Sequence, residues 1–292
     1  LEDPTRKPWR FTEFHKEVDV PNLDFSGWYD HCNGTMGHIA GMQQNGRSDV
    51  ARTKTQLVIG PWNHAELGSQ TVGGIDFGPA AQVDLTDMII RWFDYWLKDL
   101  ENGVDGAPQV RYFVMGSGQW KQAETWPAPG MKNQDYYLSS AGTAGIDGSG
   151  VLQQNPSGQT RGDSYDYDPI DPVPTLWDKS LFTVPTDRRA LEYRQDILYY
   201  KTEPLTEEVE VVGYPRVVLH AASSAPDTDF FARLVDEDPD GEAFDVCYGM
   251  VRARHRHGLE SEDFLVPDET TEFEITLGAT ACRFQEGHRI RL

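Results

Sequence analysis

Two strand-like segments, each ending in a turn that carries an ionisable side chain, constrain the fold of this chain more than any other feature. The first turn is Gly27-Trp28-Tyr29-Asp30, and the second is Gly60-Pro61-Trp62-Asn63-His64. Each follows a short apolar run, and residues 34–44 between them have helical spacing. Ligand-binding groups collect beyond the carboxyl ends of strands in open α/β sheets, so we expect Asp30 and His64 to meet at one sheet edge.

An acid followed along the chain by a histidine is the order of the last two members of a Ser…Asp…His triad in α/β-hydrolases. In such a triad, histidine takes the proton of the nucleophile, and the carboxylate holds the imidazole in one tautomer. The sequence therefore predicts Asp30 and His64 as catalytic acid and base. The nucleophile is missing, because no Gly-x-Ser-x-Gly elbow occurs in the 292 residues. We expect the chain to be the C-terminal portion of an enzyme and to be inactive alone.

Gly162-Asp163-Ser164-Tyr165-Asp166-Tyr167 imitates a nucleophile elbow superficially. It lacks the closing glycine, follows no predicted strand and lies after the histidine in an acidic, Gly/Ser/Asp/Pro-rich stretch. We interpret the stretch 141–185 as a long surface loop.

Every residue of the predicted site has a structural alternative. Asp30 could form a turn or cap the following helix, and His64 could be a loop residue. Trp28, Tyr29 and Trp62 flank the two catalytic candidates, so they are candidates for lining a substrate pocket. They could equally pack the two loops in place.

The composition excludes several functions. A formal charge of −21 and a pI of about 4.6 disfavour binding to nucleic acid and to anionic membranes. No apolar run approaches the length of a membrane span. Three cysteines without a Cys-x-x-Cys pair make neither a disulfide framework nor a structural zinc site, and they favour a reducing, cytoplasmic location. We predict no metal and no cofactor.

The pattern changes near residue 107. Residues 85–100 carry apolar side chains at helical spacing and predict a helix that packs its apolar face on a core. Short alternating strands punctuated by Gly, Pro, Asn and Asp follow, which is typical of a β-sandwich or jelly roll. The predicted fold class is thus α/β plus all-β. Its first domain, residues 1–106, is the C-terminal part of an α/β-hydrolase domain, and residues 107–292 form a jelly-roll β-sandwich that we expect to be truncated at its C-terminus.

Specific motifs carry a family resemblance over nearly the whole chain. The two turns resemble the acid and base loops of CocE/NonD-type serine hydrolases, the family of X-Pro dipeptidyl-peptidases, cocaine esterases, α-amino acid ester hydrolases and cephalosporin acylases. Four later segments resemble further parts of the family: Leu85 to Leu100 with its Arg91-Trp92-Phe93-Asp94-Tyr95-Trp96-Leu97, Val114-Met115-Gly116 through Trp120, Ala225-Pro226-Asp227-Thr228-Asp229-Phe230 and Gly287-His288-Arg289-Ile290-Arg291-Leu292.

The resemblance implies an α/β-hydrolase domain followed by a jelly roll, with Asp30 and His64 in the acid and base roles. It also implies hydrolysis of an ester, amide or peptide substrate through a serine acyl-enzyme. A different class of function stays open, namely a carbohydrate- or partner-binding β-sandwich module preceded by a vestigial α/β piece. Homodimerisation and association with a missing N-terminal part are open as well.

Overall fold

Strands dominate the structure. The computed structural model describes residues 14–30, 32–156, 158, 161–176 and 185–292. Within these residues the α-helices are α1 (Cys32–Asn45), α2 (Asp49–Lys54) and α3 (Leu85–Lys98), and the short 3-10 helices are His15–Glu17, Pro79–Ala81, Val104–Gly106, Arg188–Leu191 and Ala253–His255. The strands are β1 (Leu23–Tyr29), β2 (Gln56–Asn63), β3 (Thr71–Val72), β4 (Ile75–Asp76), β5 (Val110–Val114), β6 (Gln119–Ala123), β7 (Tyr137–Ser139), β8 (Val151–Gln153), β9 (Val209–Gly213), β10 (Arg216–Ala221), β11 (Asp229–Glu237), β12 (Ala243–Arg252), β13 (Thr271–Thr276), β14 (Thr280–Phe284) and β15 (Arg289–Arg291).

The N-terminal region is built on a four-stranded sheet in the order β1-β2-β5-β6. Strands β1, β2 and β5 run parallel, and β6 returns antiparallel to β5. All eight residues of β2 are buried, which explains why its sequence is a continuous apolar run rather than an alternating one. Because β1 and β2 are adjacent and parallel, the residues that follow them emerge at the same edge of the sheet.

The sheet extends past the boundary predicted at residue 106. Strands β5 and β6 lie within residues 110–123, yet they continue the sheet begun by β1 and β2. Met115 then links this sheet to β14, because its backbone N–H donates to the Ala281 carbonyl at 2.9 Å. The change in composition near residue 107 therefore does not coincide with a break between sheets.

Helix α3 starts and stops where local chemistry indicates. The Asp84 carboxylate caps its first turn by accepting from the Asp87 backbone N–H, and Asp99 ends it in a left-handed conformation. Trp92 is buried against the rest of the molecule. The expected packing of the whole apolar face is only partly present, because several apolar side chains on α3 and just after it are exposed: Ile89, Ile90, Phe93, Leu97 and Leu100.

Antiparallel pairs make up the C-terminal region. Strand β11 lies between β12 and β15, β10 pairs with β13, and β9 pairs with β14. Phe230 of β11 and Phe273 of β13 contact each other with ring centroids 4.7 Å apart and ring planes tilted by 47°, so side chains from strands of different sheets meet in the core. One hydrophobic core spans this region and the N-terminal sheet. Among the described residues, no helix combines the length and apolar character that crossing a bilayer requires.

The predicted loop at 141–185 lies partly outside the described residues, at 157, 159–160 and 177–184. Its described part contains the short strand β8 and otherwise lacks regular structure. Asp163 anchors it, because this carboxylate accepts from Ser140 Oγ at 2.7 Å, the Ala144 backbone N–H at 2.8 Å and Tyr200 Oη at 2.8 Å.

Candidate active site

Asp30 and His64 contact each other at the sheet edge. Asp30 is the first residue after β1, and His64 is the first residue after β2. Asp30 Oδ2 lies 3.0 Å from His64 Nδ1. An ionised carboxylate can only accept, so the hydrogen bond places the imidazole proton on Nδ1 and makes Nε2 the basic atom. The Asp30 side chain is 14% exposed and that of His64 is 60% exposed, so the acid is sheltered while the base reaches solvent.

The acid is held in a tight turn between β1 and α1. The Asp30 backbone N–H donates to the Gly27 carbonyl at 3.0 Å, and the Asp30 carbonyl accepts from the Cys32 backbone N–H at 2.8 Å. Cys32 is the first residue of α1. These bonds fix the backbone on both sides of the carboxylate.

The base is held by a turn that Asn63 builds. Asn63 Oδ1 accepts from the backbone N–H groups of Ala65 and Glu66 at 3.0 and 2.9 Å, as in an Asx turn. Asn63 Nδ2 donates to Glu66 Oε2 at 2.7 Å, and the same oxygen accepts from the Gly73 backbone N–H at 2.9 Å. Sequence reasoning missed Asn63 and Glu66, although an Asn with a Glu three residues later is a recognisable turn signal.

A close approach of two backbones brings the turns together. Gly27 pairs with Gly60 and Tyr29 with Asn63, so β2 carries one extra residue opposite β1. At this bulge, a Cβ on Gly27 would lie only 1.9 Å from the Trp62 carbonyl oxygen. Glycine is therefore required at position 27 for the two strand ends to converge.

The aromatic residues beside the pair are packed rather than open to solvent. Trp28 is 5% exposed and donates from Nε1 to the Phe113 carbonyl at 2.7 Å. Trp62 is fully buried and donates to the Ser69 carbonyl at 3.0 Å. Burial favours the packing alternative over pocket lining for both tryptophans. Tyr29 is partly buried, and its hydroxyl donates to the Asp245 carbonyl at 3.0 Å.

The buried cysteines do not offer a nucleophile beside the pair. The cysteines are unpaired and buried thiols. Burial, together with the charge of Asp30, raises the pKa of Cys32 to about 12, so this thiol stays protonated at neutral pH. The segment 162–167 is a loop without regular structure in the described residues. No group of three or more His, Cys, Asp or Glu side chains that could hold a metal occurs in the described part of the chain.

Comparison with known proteins identifies the family. Residues 102–292 match the family described as the X-Pro dipeptidyl-peptidase C-terminal non-catalytic domain. This match covers more than half of the chain. The chain belongs to this family. The matched region is the β-rich part of the chain that follows the Asp30–His64 pair, and it includes β5 to β15.

Relatives extend the similarity to the N-terminal sheet. Cocaine esterase from Rhodococcus sp. (strain MB1 Bresler) is 38% identical over 280 residues, which are 93% of this chain and 47% of that protein. An α-amino acid ester hydrolase structure superposes with a TM-score of 0.82 at 26% identity, over 96% of this chain and 49% of that chain. An aminopeptidase structure from the marine sediment archaeon Thaumarchaeota archaeon gives a TM-score of 0.78 at 25% identity, over 96% and 48%.

The chain therefore spans about half the length of the relatives that it matches. Those relatives are hydrolases, and the predicted resemblance to a C-terminal portion of the CocE/NonD-type family is confirmed.

Proposed function

We propose that this chain supplies the acid and base of a serine hydrolase of the X-Pro dipeptidyl-peptidase/CocE type, which cleaves an ester or amide through an acyl-enzyme. The observation that carries the proposal is the 3.0 Å contact between Asp30 Oδ2 and His64 Nδ1, made by residues that directly follow adjacent parallel strands. A vestigial α/β piece attached to a binding module has no need for this arrangement, so the contact favours the hydrolase.

The chemistry divides between two half-reactions. His64 Nε2 takes the proton of a serine hydroxyl as its oxygen attacks the substrate carbonyl, and Asp30 stabilises the imidazolium that forms. His64 then gives this proton to the departing alcohol or amine, which leaves an acyl-serine. In the second half-reaction His64 activates water in the same way, and the acid product and the serine are released.

The nucleophile belongs to a segment outside these 292 residues. The finer fold that we propose is the C-terminal part of an α/β-hydrolase domain, with β1 facing the strands of that segment, followed by a jelly roll. Two observations support it. Among the described strands, β1 is the edge of its parallel sheet. In addition, the exposed apolar side chains of α3 include Phe93 and Leu97 and form a surface that a missing part of the domain would cover.

The test is hydrolysis of a p-nitrophenyl ester by a polypeptide that joins this chain to its nucleophile-bearing segment. Triad members act as a unit, so His64→Ala should lower kcat by about 10³-fold to 10⁶-fold and Asp30→Asn by about 10⁴-fold. His220→Ala is the matched control, because His220 is an exposed histidine that also lies near a carboxylate, 3.7 Å from Glu272. This control should leave kcat unchanged.

Two results would reject the proposal. The first is a His64→Ala enzyme that behaves like the His220→Ala control. The second is ester hydrolysis by the 292-residue chain alone that His64→Ala abolishes, because the chain would then contain its own nucleophile.

A further inference from the structure

Tyr29 connects the candidate acid to the β-rich region. It is the last residue of β1 and directly precedes Asp30. Its hydroxyl donates to the backbone carbonyl of Asp245, at 3.0 Å, across 216 residues of sequence. Burial raises the pKa of Tyr29 well above its usual value, so the hydroxyl keeps its proton and remains a donor. The position of the residue next to the acid is thus fixed by strand β12.

The acceptor is itself held rigidly. Leu234 pairs with Cys247 and Val235 pairs with Asp245, so β12 carries an extra residue beside Asp245. Such bulges bend a strand and redirect its groups. The Asp245 carboxylate is 6% exposed, and the Arg233 guanidinium holds it with an N–O distance of 3.1 Å. Arg188 approaches the same carboxylate oxygen at 3.7 Å.

A second connection lies on the other side of the acid. Asn33, in the first turn of α1, accepts from the Ala279 backbone N–H at 2.9 Å through Oδ1. The neighbouring Cys32 thiol lies 3.7 Å from the Ala279 carbonyl oxygen. Asp30 is therefore bracketed by two side chains that bind backbone groups of residues 245 and 279, both within the region matched to the X-Pro dipeptidyl-peptidase C-terminal domain.

We propose that the β-rich region, described in its family as non-catalytic, positions the catalytic acid, and that Tyr29 is the main positioning residue. Its hydrogen bond to β12 keeps Asp30 Oδ2 in line with His64 Nδ1, and Asn33 supports it from α1. The catalytic meaning rests on the proposed function, in which this alignment selects the tautomer with a basic Nε2. Active sites need such support because displacements well below 1 Å weaken them.

The experiment measures the tautomer of His64 in the 292-residue chain by imidazole ¹⁵N and ¹³C NMR at pH 9, where a free imidazole is neutral. His64→Gln assigns the signal. Asp30→Ala removes the carboxylate and should shift the ring away from the Nδ1–H form. Tyr29→Phe should produce at least about half of this shift, because it removes the hydrogen bond and keeps the ring.

Tyr248→Phe is the matched control. Tyr248 lies on the same strand, β12, with an exposed side chain, and losing its hydroxyl should leave the His64 signal unchanged. Asn33→Ala provides a second variant, which carries the test if Tyr29→Phe does not fold. It should move the signal in the same direction as Tyr29→Phe.

The outcomes separate this inference from the proposed function. If Asp30→Ala shifts the tautomer while both Tyr29→Phe and Asn33→Ala match the parent, the positioning role is overturned and the acid–base pair stands. The positioning role is overturned equally if Tyr29→Phe does not fold and Asn33→Ala matches the parent. If Asp30→Ala itself leaves the tautomer unchanged, the pair is refuted, and the positioning role fails with it.

Discussion

Gly27→Ala tests whether the two candidate loops depend on the close approach of their backbones. In the structure an added Cβ would lie 1.9 Å from the Trp62 carbonyl oxygen and 2.5 Å from its carbonyl carbon. Cβ atoms essentially never approach other heavy atoms closer than 3.0 Å, so the strand ends must separate by at least about 1.1 Å. Trp62 is fully buried, and β2 is buried along its whole length, so neighbouring atoms resist this movement.

Overpacking of a rigid core costs about 1 to 3 kcal/mol, and a clash with backbone rather than with a flexible side chain belongs at the upper end. We therefore expect Gly27→Ala to lower the free energy of unfolding by about 3 kcal/mol. With a urea dependence of about 3 kcal/mol/M, the unfolding midpoint should fall by about 1 M. Tryptophan fluorescence during urea unfolding measures this midpoint.

Gly37→Ala is the control for the same chemical change. Gly37 lies inside α1, and a Cβ there would meet nothing within 4 Å. Alanine is the better helix former by about 1 kcal/mol, so this variant should be more stable than the parent. A Gly27→Ala midpoint equal to that of the parent, or a fall shared by both variants, would refute the reasoning.

Three further predictions concern stability. Burial raises the pKa of Asp24 from 3.8 to about 6, so the fold favours the neutral carboxyl, and stability should fall as pH rises through this range. The free energy of unfolding of Asp24→Asn, measured relative to the parent, should therefore increase by on the order of 3 kcal/mol between pH 4 and pH 7. Urea titrations of both proteins at both pH values measure this difference. Asp245→Ala leaves the buried Arg188 and the half-buried Arg233 without their carboxylate and should cost about 3 to 5 kcal/mol, whereas Glu274→Ala in an exposed ion pair should cost less than about 1 kcal/mol; equal losses in thermal melts would contradict this. Trp92→Ala should cost about 3 to 5 kcal/mol and Leu97→Ser on the same helix less than about 0.5 kcal/mol, because only Trp92 is buried; a large loss in Leu97→Ser would mean that its side chain is covered in solution.

The placement of Asp30 beside His64 could be predicted because the residues that form a buried strand and the turn after it are adjacent in the sequence. The apolar run of β2 and the turn residues after it mark a buried strand end, and β1 follows the same pattern. Two such ends joined by a helical connection, predicted as one helix and observed as α1 and α2, place Asp30 and His64 on one edge. The 3.0 Å contact agrees with this expectation, while the catalytic role stays a prediction.

Other elements could not be predicted because their stability comes from distant partners. Strand β6 has no apolar face of its own, and its Lys121 pairs with Glu210 of β9. Strand β14 is buried, but its small residues give no alternation. The six-residue helix α2 depends on the Ser48 cap rather than on a long periodic pattern.

The exposed face of α3 was unpredictable for a different reason. Apolar spacing identifies the side chains that pack against another surface, but it does not show whether the same chain provides that surface. Likewise, the Tyr29 hydroxyl donates to a backbone carbonyl, and a backbone acceptor cannot be recognised from the pattern of side chains.

The hydrogen bond from Tyr29 to a backbone carbonyl tolerates substitution at the acceptor residue but not at the donor residue. Every amino acid carries this oxygen, so replacement of the side chain at position 245 leaves the acceptor in place, provided that β12 keeps its bulge. The donor has no such tolerance, because only the residue at position 29 brings the hydroxyl. Exchange of the β-rich region between relatives should therefore preserve this hydrogen bond wherever Tyr29 is retained and β12 keeps its shape.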